Sequence, residues 1–533
     1  MTSSLPQRRT SAATTIATLI AMASLVLVAS HIVKVISRDG ETAFLSANDR
    51  SRWCMITAIV DEGTFAIDGP IATPSPIKDT RRPWDTIDKV QHRGRDGQLH
   101  YYSSKPPLYP IMVAGVYAIV QAITGLTLPT HPIHTTRMML LIVNLPVVMI
   151  WLGSCYAIVR TQTRGARTTL AAMMVAGLGV MVLPYAVSLS NHLPAAAATA
   201  LVAAIYLASP TKRRLAWAFV AGLGAGFAVA NELPALAMAG LWGALFVWWG
   251  WRPLVVFSVG FLIVAIAFFG TTWWAHESLK VPYAHRGNGD IVFEIESSDR
   301  PAEGQPPEVE ALINKFNELD ELSDADRAKW KIEESDEPNR FRLFTHNADY
   351  AIIPKSMGYE VRHWDDWYEY PGSYWQTERR GVDRGERSRL RYLFHMTLGR
   401  YGVVSLTPIW ILVPLGILLG VSRGRLFGSE NDDHFKRLSV ATVIVTVVVF
   451  AFYMARPLID RNYGGVSVSL RWTLWLTPLW FAFCIEPLRR MLSRRGGVVF
   501  ASVLIAAGIW SVMLSIDNPW QSPWIYRWIE YMS

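Results

Sequence analysis

The sequence predicts an all-α polytopic membrane protein, with about eleven transmembrane helices, one interfacial or re-entrant segment and a mixed α/β extracytoplasmic loop insertion. Three observations predict it. Of 533 residues, 51% are hydrophobic and 18% charged, below the rough quarter of charged residues usual in a soluble chain. The apolar residues fall in runs of about 16–23, the length that crosses a hydrocarbon core of about 30 Å. The 22 tryptophans suit a chain with two headgroup boundaries, where indole rings concentrate.

The first apolar run, 14–36, follows Arg8 and Arg9. It exceeds a usual signal-peptide core, so it reads as an uncleaved signal-anchor with its N-terminus in the cytoplasm. A polar stretch, 37–105, comes next, then the apolar run Pro106–Leu126. If that run crosses the membrane, the later basic loops around Arg160, Lys212, Arg252, Arg423 and Arg489 all fall outside, against the positive-inside rule. If it stays interfacial or re-entrant they all fall inside, and its Pro-Pro-Leu-Tyr-Pro start argues the same way. The remaining spans are 137–159, 168–188, 194–210, 214–230, 233–250, 252–273, 402–420, 438–455, 471–487 and 497–515.

Three regions follow. Residues 1–273 form an N-terminal transmembrane core that includes a first extracytoplasmic loop, 37–136. Residues 274–401 form a large extracytoplasmic loop. Residues 402–533 supply the C-terminal helices and a short outside tail. The turns at Asn191 and Asn231 and the turn 456–470 also face outside. No internal repeat is visible, which counts against transporter folds built from duplicated halves. The large loop is acidic early, at Glu294, Glu296, Glu308, Glu310, Glu318, Asp320 and Glu321. Helical spacing runs over Pro306–Lys331, with apolar Val309, Leu312, Ile313 and Phe316, and Ser323 with Asp326 is a capping signal for a second helix. Later the loop turns aromatic and basic, from Trp364, Trp367 and Tyr368 to Arg389 and Arg391, which suits a platform at headgroup level.

The net charge of +8 does not indicate nucleic-acid binding, because most Lys and Arg sit in short loops between apolar runs. Cys54, Cys155 and Cys484 have no metal-cluster spacing. Candidate chemistry lies in four places. Asp49, beside Asn48 and soon after the first span, offers a carboxylate near the membrane surface that could accept a proton; the alternative is a helix cap or an ion pair with Arg52. Lys105 opens Lys-Pro-Pro-Leu-Tyr at the membrane boundary, where a cation could hold a lipid phosphate or simply snorkel. The turns Asn191-His192-Leu193-Pro194 and Asn231-Glu232-Leu233-Pro234 each place a titratable residue at a helix start; ordinary capping is the alternative. Asp49, His192 and Glu232 together offer ligands for a divalent cation, although no spacing requires one. The turn 456–470 and its end carry Arg456, Arg461, Tyr463 and Arg471 on the outside, where cations break the charge rule. An anionic ligand explains them, as it does Arg384, Arg387 and Arg400; pairing with Asp460, Asp383 and Glu386 is the alternative.

The acidic residue after the first helix, the Lys-Pro-Pro-Leu-Tyr motif at 105–109 and the helix-dense core with its alternating basic loops resemble the GT-C class of membrane glycosyltransferases. The closer resemblance is to family 39, the protein O-mannosyltransferases, and to the aminoarabinose transferase of lipid A. It is firmest over about residues 14–250. It implies a hexosyl or pentosyl transferase that takes a sugar from a polyprenyl-phosphate donor. The acceptor would be a lipid, glycan or protein on the extracytoplasmic face of a bacterial-type inner membrane. It makes Asp49 the catalytic base and Lys105 a ligand of the donor phosphate, with Arg384, Arg387, Arg461 and Arg471 as further phosphate ligands. Asn48, His192, Glu232 and Tyr463 would support them. No cofactor is demanded; a divalent metal stays open. Two features depart from the family: Asn191-His192 stands where many relatives carry a second acidic motif, and a long loop replaces the usual soluble C-terminal domain. The rival reading is a transporter or flippase of lipid-linked glycans, which predicts ionisable residues in mid-span rather than at the outer rim.

Overall fold

The computed structural model describes residues 5–296, 309–319, 330–335, 339–345, 348–376, 381–423 and 432–532. They divide into two compact units. One comprises Met1–Arg50, Pro107–Thr271 and Arg380–Ser533; the other comprises Ser51–Pro106 and Thr272–Arg379.

The first unit is helical. Among the described residues, six helices are long and apolar enough to cross a membrane: Ala12–Ile32, Pro132–Gln162, Arg214–Asn231, Trp251–His276, Asp433–Ala455 and Arg495–Met513. Their apolar side chains are not all covered. On Trp251–His276, Val255, Val259, Leu262, Ile263, Ile266 and Phe269 are all exposed. Such a surface is unfavourable in water and suits acyl chains.

The other expected spans are shorter or broken, so the count of about eleven is not reproduced. Span 168–188 is the helix Ala166–Leu178 followed by a separate 3-10 turn, Leu183–Val187. Span 402–420 divides into Val403–Leu406, the 3-10 turn Pro408–Leu412 and Val413–Arg423. Span 471–487 opens as a 3-10 helix, Arg471–Leu476, before Thr477–Met491. Pro184, Pro408 and Pro478 stand at these breaks, where a missing N–H and a bulky ring prevent continuation of an α-helix. The segment Pro106–Leu126 differs in the opposite sense. It is a regular helix, Leu108–Thr124, closed by Gly125 at φ 70°. Its prolines fall at the N-cap and in the first turn, where a helix has no use for the lost donor.

The helix that matters most for the site is His192–Ala208. Six of its first nine residues are alanine or proline, and every residue from His192 to Ala200 is buried. The small side chains let Pro132–Gln162 and Arg214–Asn231 pack closely on either flank. Glycines act similarly between Arg214–Asn231 and Trp251–His276. A Cβ on Gly222 would meet the Phe257 carbonyl oxygen at 2.0 Å, and one on Gly260 would meet that of Phe219 at 2.5 Å.

The second unit is mixed, as the sequence suggested for the large loop. Strands β1 (Lys89–Arg93) and β2 (Leu99–Ser103) form an antiparallel pair. Strands β3 (Asn288–Ile295), β4 (Lys331–Glu334), β5 (Phe341–Phe344), β6 (Asp349–Lys355) and β7 (Gly358–Trp364) form an antiparallel sheet in the order β3-β7-β6-β5-β4. The helix Val309–Leu319 lies on it through Leu312 and Phe316, packed with Phe293, Phe341, Leu343 and Ile352. That helix is the described part of the stretch expected over Pro306–Lys331; Ser323 and Asp326 lie outside the described residues.

Candidate functional site

The polar residues of the first unit converge where the short turn 456–471 meets the start of His192–Ala208. Asn191 precedes that helix, and Glu232 follows Arg214–Asn231. The 40-residue separation folds back so that the His192 Nδ1 contacts Glu232 Oε1. Asn191 Nδ2 donates to the same oxygen at 2.8 Å. Both His192 and Glu232 are buried. On its other side the His192 Nε2 lies 3.0 Å from Arg471 Nη1. A guanidinium has only donors, so Nε2 must accept. The Nδ1 then carries the proton and donates it to Glu232. The result is an ordered chain of carboxylate, neutral imidazole and guanidinium.

Arg471 is held on two further sides. Its Nε donates to the Gly464 carbonyl at 2.7 Å, and the guanidinium lies over the Trp520 ring, 5.1 Å from its centre. Trp520 is fixed by its own bond to Ser188 Oγ at 3.1 Å. Gly464 has φ 93°, and a Cβ there would meet Arg471 Nε at 2.9 Å, so both the turn and the guanidinium require glycine.

Arg461 sits earlier in the same turn, 8% exposed. Its Nη1 donates to the Arg387 carbonyl at 3.1 Å, while its Nε has no acceptor among the described residues. Of the acids proposed from sequence as partners, Asp460 pairs with Arg456 at 2.9 Å and Glu386 with Arg391 at 3.5 Å. A buried cation without a counter-charge costs several kcal/mol. Arg384 and Arg387 are exposed at the edge of this turn. Gly385 explains the fit, because a Cβ there would lie 1.5 Å from the Leu458 carbonyl oxygen. Tyr463 OH donates to Glu386 at 3.5 Å and stacks on Tyr401 at 4.5 Å.

Asp49 takes up a capping geometry. It follows Ser46 by three residues at the start of the helix Ala47–Thr57. Its oxygens accept from the backbone N–H of Leu45 at 3.0 Å, Ser46 at 2.7 Å and Arg50 at 2.9 Å, and from Ser46 Oγ at 2.9 Å. In return the Asp49 N–H donates to Ser46 Oγ at 3.1 Å, a reciprocal capping box. Burial pushes its carboxyl above the usual carboxylate range, against the pull of the Leu45 and Ser46 donors. Asn48 is buried next to it. Lys105 belongs to the second unit, where it pairs with Asp88 at 3.0 Å. Among the described residues no group of three or more His, Cys, Asp or Glu is arranged to hold a metal ion.

Sequence reasoning missed Trp520, Ser188, Gly464 and Asp88. Only Gly464 gave a signal, as half of a Gly-Gly pair. A histidine cluster in the second unit was also missed. The His92 ring lies between Tyr102 and Trp367, each 4.0 Å away between ring centres. Its Nδ1 donates to the Arg93 carbonyl at 2.8 Å, so its Nε2 accepts from His276 Nδ1 at 3.0 Å.

No family model matches the chain, and no curated protein matches it. Among solved structures it is similar to the oligosaccharyltransferase of Archaeoglobus fulgidus in its apo form, at 12% identity over 96% of this chain and 59% of that one, with a TM-score of 0.39. It is also similar to the archaeal oligosaccharyltransferase AglB from Archaeoglobus fulgidus in complex with an inhibitory peptide and a dolichol-phosphate, at 12% identity over 94% of this chain and 56% of that one, with a TM-score of 0.40. The chain spans a little over half the length of those structures. At such scores the function has to be argued from this chain's own residues.

Proposed function

We propose that the chain is a membrane-embedded glycosyltransferase that moves a sugar, with inversion, from a polyprenyl-phosphate-linked donor to an acceptor on the extracytoplasmic face. The observation that carries the proposal is Arg461. A buried guanidinium without a carboxylate partner, in the same turn as the tethered Arg471, has the charge and donors to receive a phosphate. A sugar bound to a lipid phosphate supplies that group at membrane depth.

The reaction is a single displacement. The acceptor oxygen attacks the anomeric carbon, the bond from that carbon to the phosphate oxygen breaks, and the polyprenyl phosphate leaves. Arg461 and Arg471 stabilise the charge that accumulates on it. Arg384 and Arg387, exposed at the edge of the same turn, add positive charge to donor capture. Asp49, the base implied by the resemblance, takes the acceptor proton; burial favours its protonated form, and the reaction would exchange one of its capping bonds for the acceptor hydroxyl.

The test is glycolipid and glycoprotein mass spectrometry on cells lacking the protein, complemented with wild type, Arg461→Ala or Asp49→Asn. A sugar should disappear without the protein and return only with wild type. An unchanged glycan profile in the deletion strain defeats the proposal. Full restoration by Arg461→Ala removes the phosphate role.

A further inference from the structure

We propose that Glu232 and His192 are positioning residues that clamp Arg471 so that its Nη2 edge stays open toward the donor's phosphate. The inference rests on the transferase reading of the site and adds how the cation is aimed. Three contacts fix Arg471, and each uses a different face: Gly464 O on Nε, His192 Nε2 on Nη1, and the Trp520 ring beneath the plane. Nη2 makes no hydrogen bond among the described residues. A guanidinium at a membrane site with no carboxylate of its own would ordinarily swing to the nearest acceptor. Here the carboxylate of Glu232 is engaged by His192 and Asn191, and the imidazole stands between it and Arg471.

The relay separates two requirements that a direct ion pair would confuse. An Arg–Glu fork would hold the cation but fill both of its Nη groups and neutralise it against a second anion. A neutral imidazole accepts one N–H only. It fixes the direction of the guanidinium, and Glu232 polarises the ring so that it accepts more strongly, as a carboxylate does behind a metal-bound histidine. Tyr185 and Trp520 pack against the imidazole with ring centres 5.1 and 6.2 Å away, which leaves it little freedom to turn.

Two substitutions at His192 separate aiming from packing. His192→Phe keeps the ring against Tyr185 and Trp520 but loses both nitrogens. His192→Gln loses the ring but retains an acceptor for Arg471 and a donor for Glu232. With farnesyl phosphate as probe and purified full-length protein in detergent, His192→Phe should weaken binding about tenfold, one charge-assisted hydrogen bond's worth. His192→Gln should stay within about threefold of wild type. The opposite order, with Phe binding normally and Gln failing, would mean that His192 only fills space and would overturn the relay. So would equal affinity of both variants and wild type while Arg471→Ala loses binding; the transferase reading would survive that result. Normal binding by Arg471→Ala and Arg461→Ala together would instead defeat the phosphate reading itself.

Discussion

The arginines of the candidate site in the first unit are held differently from the charged residues of the second, although the first unit also pairs buried Glu486 with Arg489 and Arg490 at 2.6 Å. In the second unit, cations and carboxylates are matched at short range. Arg93 and Arg342 share Asp349 at 3.1 and 3.3 Å, Arg340 reaches Glu369 at 3.4 Å and Asp366 at 3.6 Å, and Lys105 meets Asp88 at 3.0 Å. In the first unit, Arg461 has a carbonyl as its sole hydrogen-bond acceptor among the described residues, and Arg471 is bonded to His192, which in turn meets Glu232. Matched charges make a framework. Unmatched ones, in a helical unit with lipid-suited surfaces, mark where an anion is expected. Removing a cation should therefore damage stability in one unit and activity in the other.

The largest effect expected is on activity. Arg471→Ala should lower kcat/KM for sugar transfer about 10³-fold, or about 4 kcal/mol, with the melting temperature in detergent nearly unchanged. A large fall in melting temperature would erase the contrast between the units. Arg340→Ala should do the reverse. It strands two carboxylates beside Trp364, whose ring centre lies 4.0 Å from the guanidinium, and should destabilise the second unit by about 3–5 kcal/mol in hydrogen-exchange protection.

Acid should also act on the second unit. Burial, helped by the charges of His285 and His100, lowers the His92 pKa to about 4 against the pull of the Arg93 carbonyl. The unfolded chain protonates near 6.5 while the folded one resists until about 4, so stability is intact above that window and falls as pH drops through it. The loss is about 3 kcal/mol at most. Limited proteolysis at pH 7.5, 5.5 and 4.5 should reveal it, and His92→Phe should flatten the dependence. The smallest change expected is Gly385→Ala, which forces the Leu458 carbonyl aside at a cost of about 1–2 kcal/mol. It should weaken farnesyl phosphate binding, because that carbonyl belongs to the turn that carries Arg461.

The membrane character was legible because hydropathy needs only composition over about twenty residues. The number of spans was not, because a window that averages over 402–420 or 471–487 cannot register the 3-10 turns at Pro408–Leu412 and Arg471–Leu476. In the candidate site, His192, Glu232, Arg461 and Arg471 could each be singled out as titratable or cationic residues in short turns. Their connections could not, since Glu232 meets His192 across 40 positions and Arg471 meets it across 279. Asp49 shows the converse. A helix cap is one of the two alternatives the sequence offers for it, and the structure supplies its partner, Ser46, three residues away.

Gly464 carries a consequence for descent. Its missing side chain leaves room both for the left-handed turn and for Arg471 seven positions later. The dependence runs one way: a larger residue at 464 displaces the guanidinium, whereas a shorter one at 471 leaves the turn's φ of 93° still asking for glycine. Lineages that keep the activity should inherit the two together. Lineages that have lost it should lose the arginine first and keep the glycine, so that a lone glycine records when the trait was abandoned.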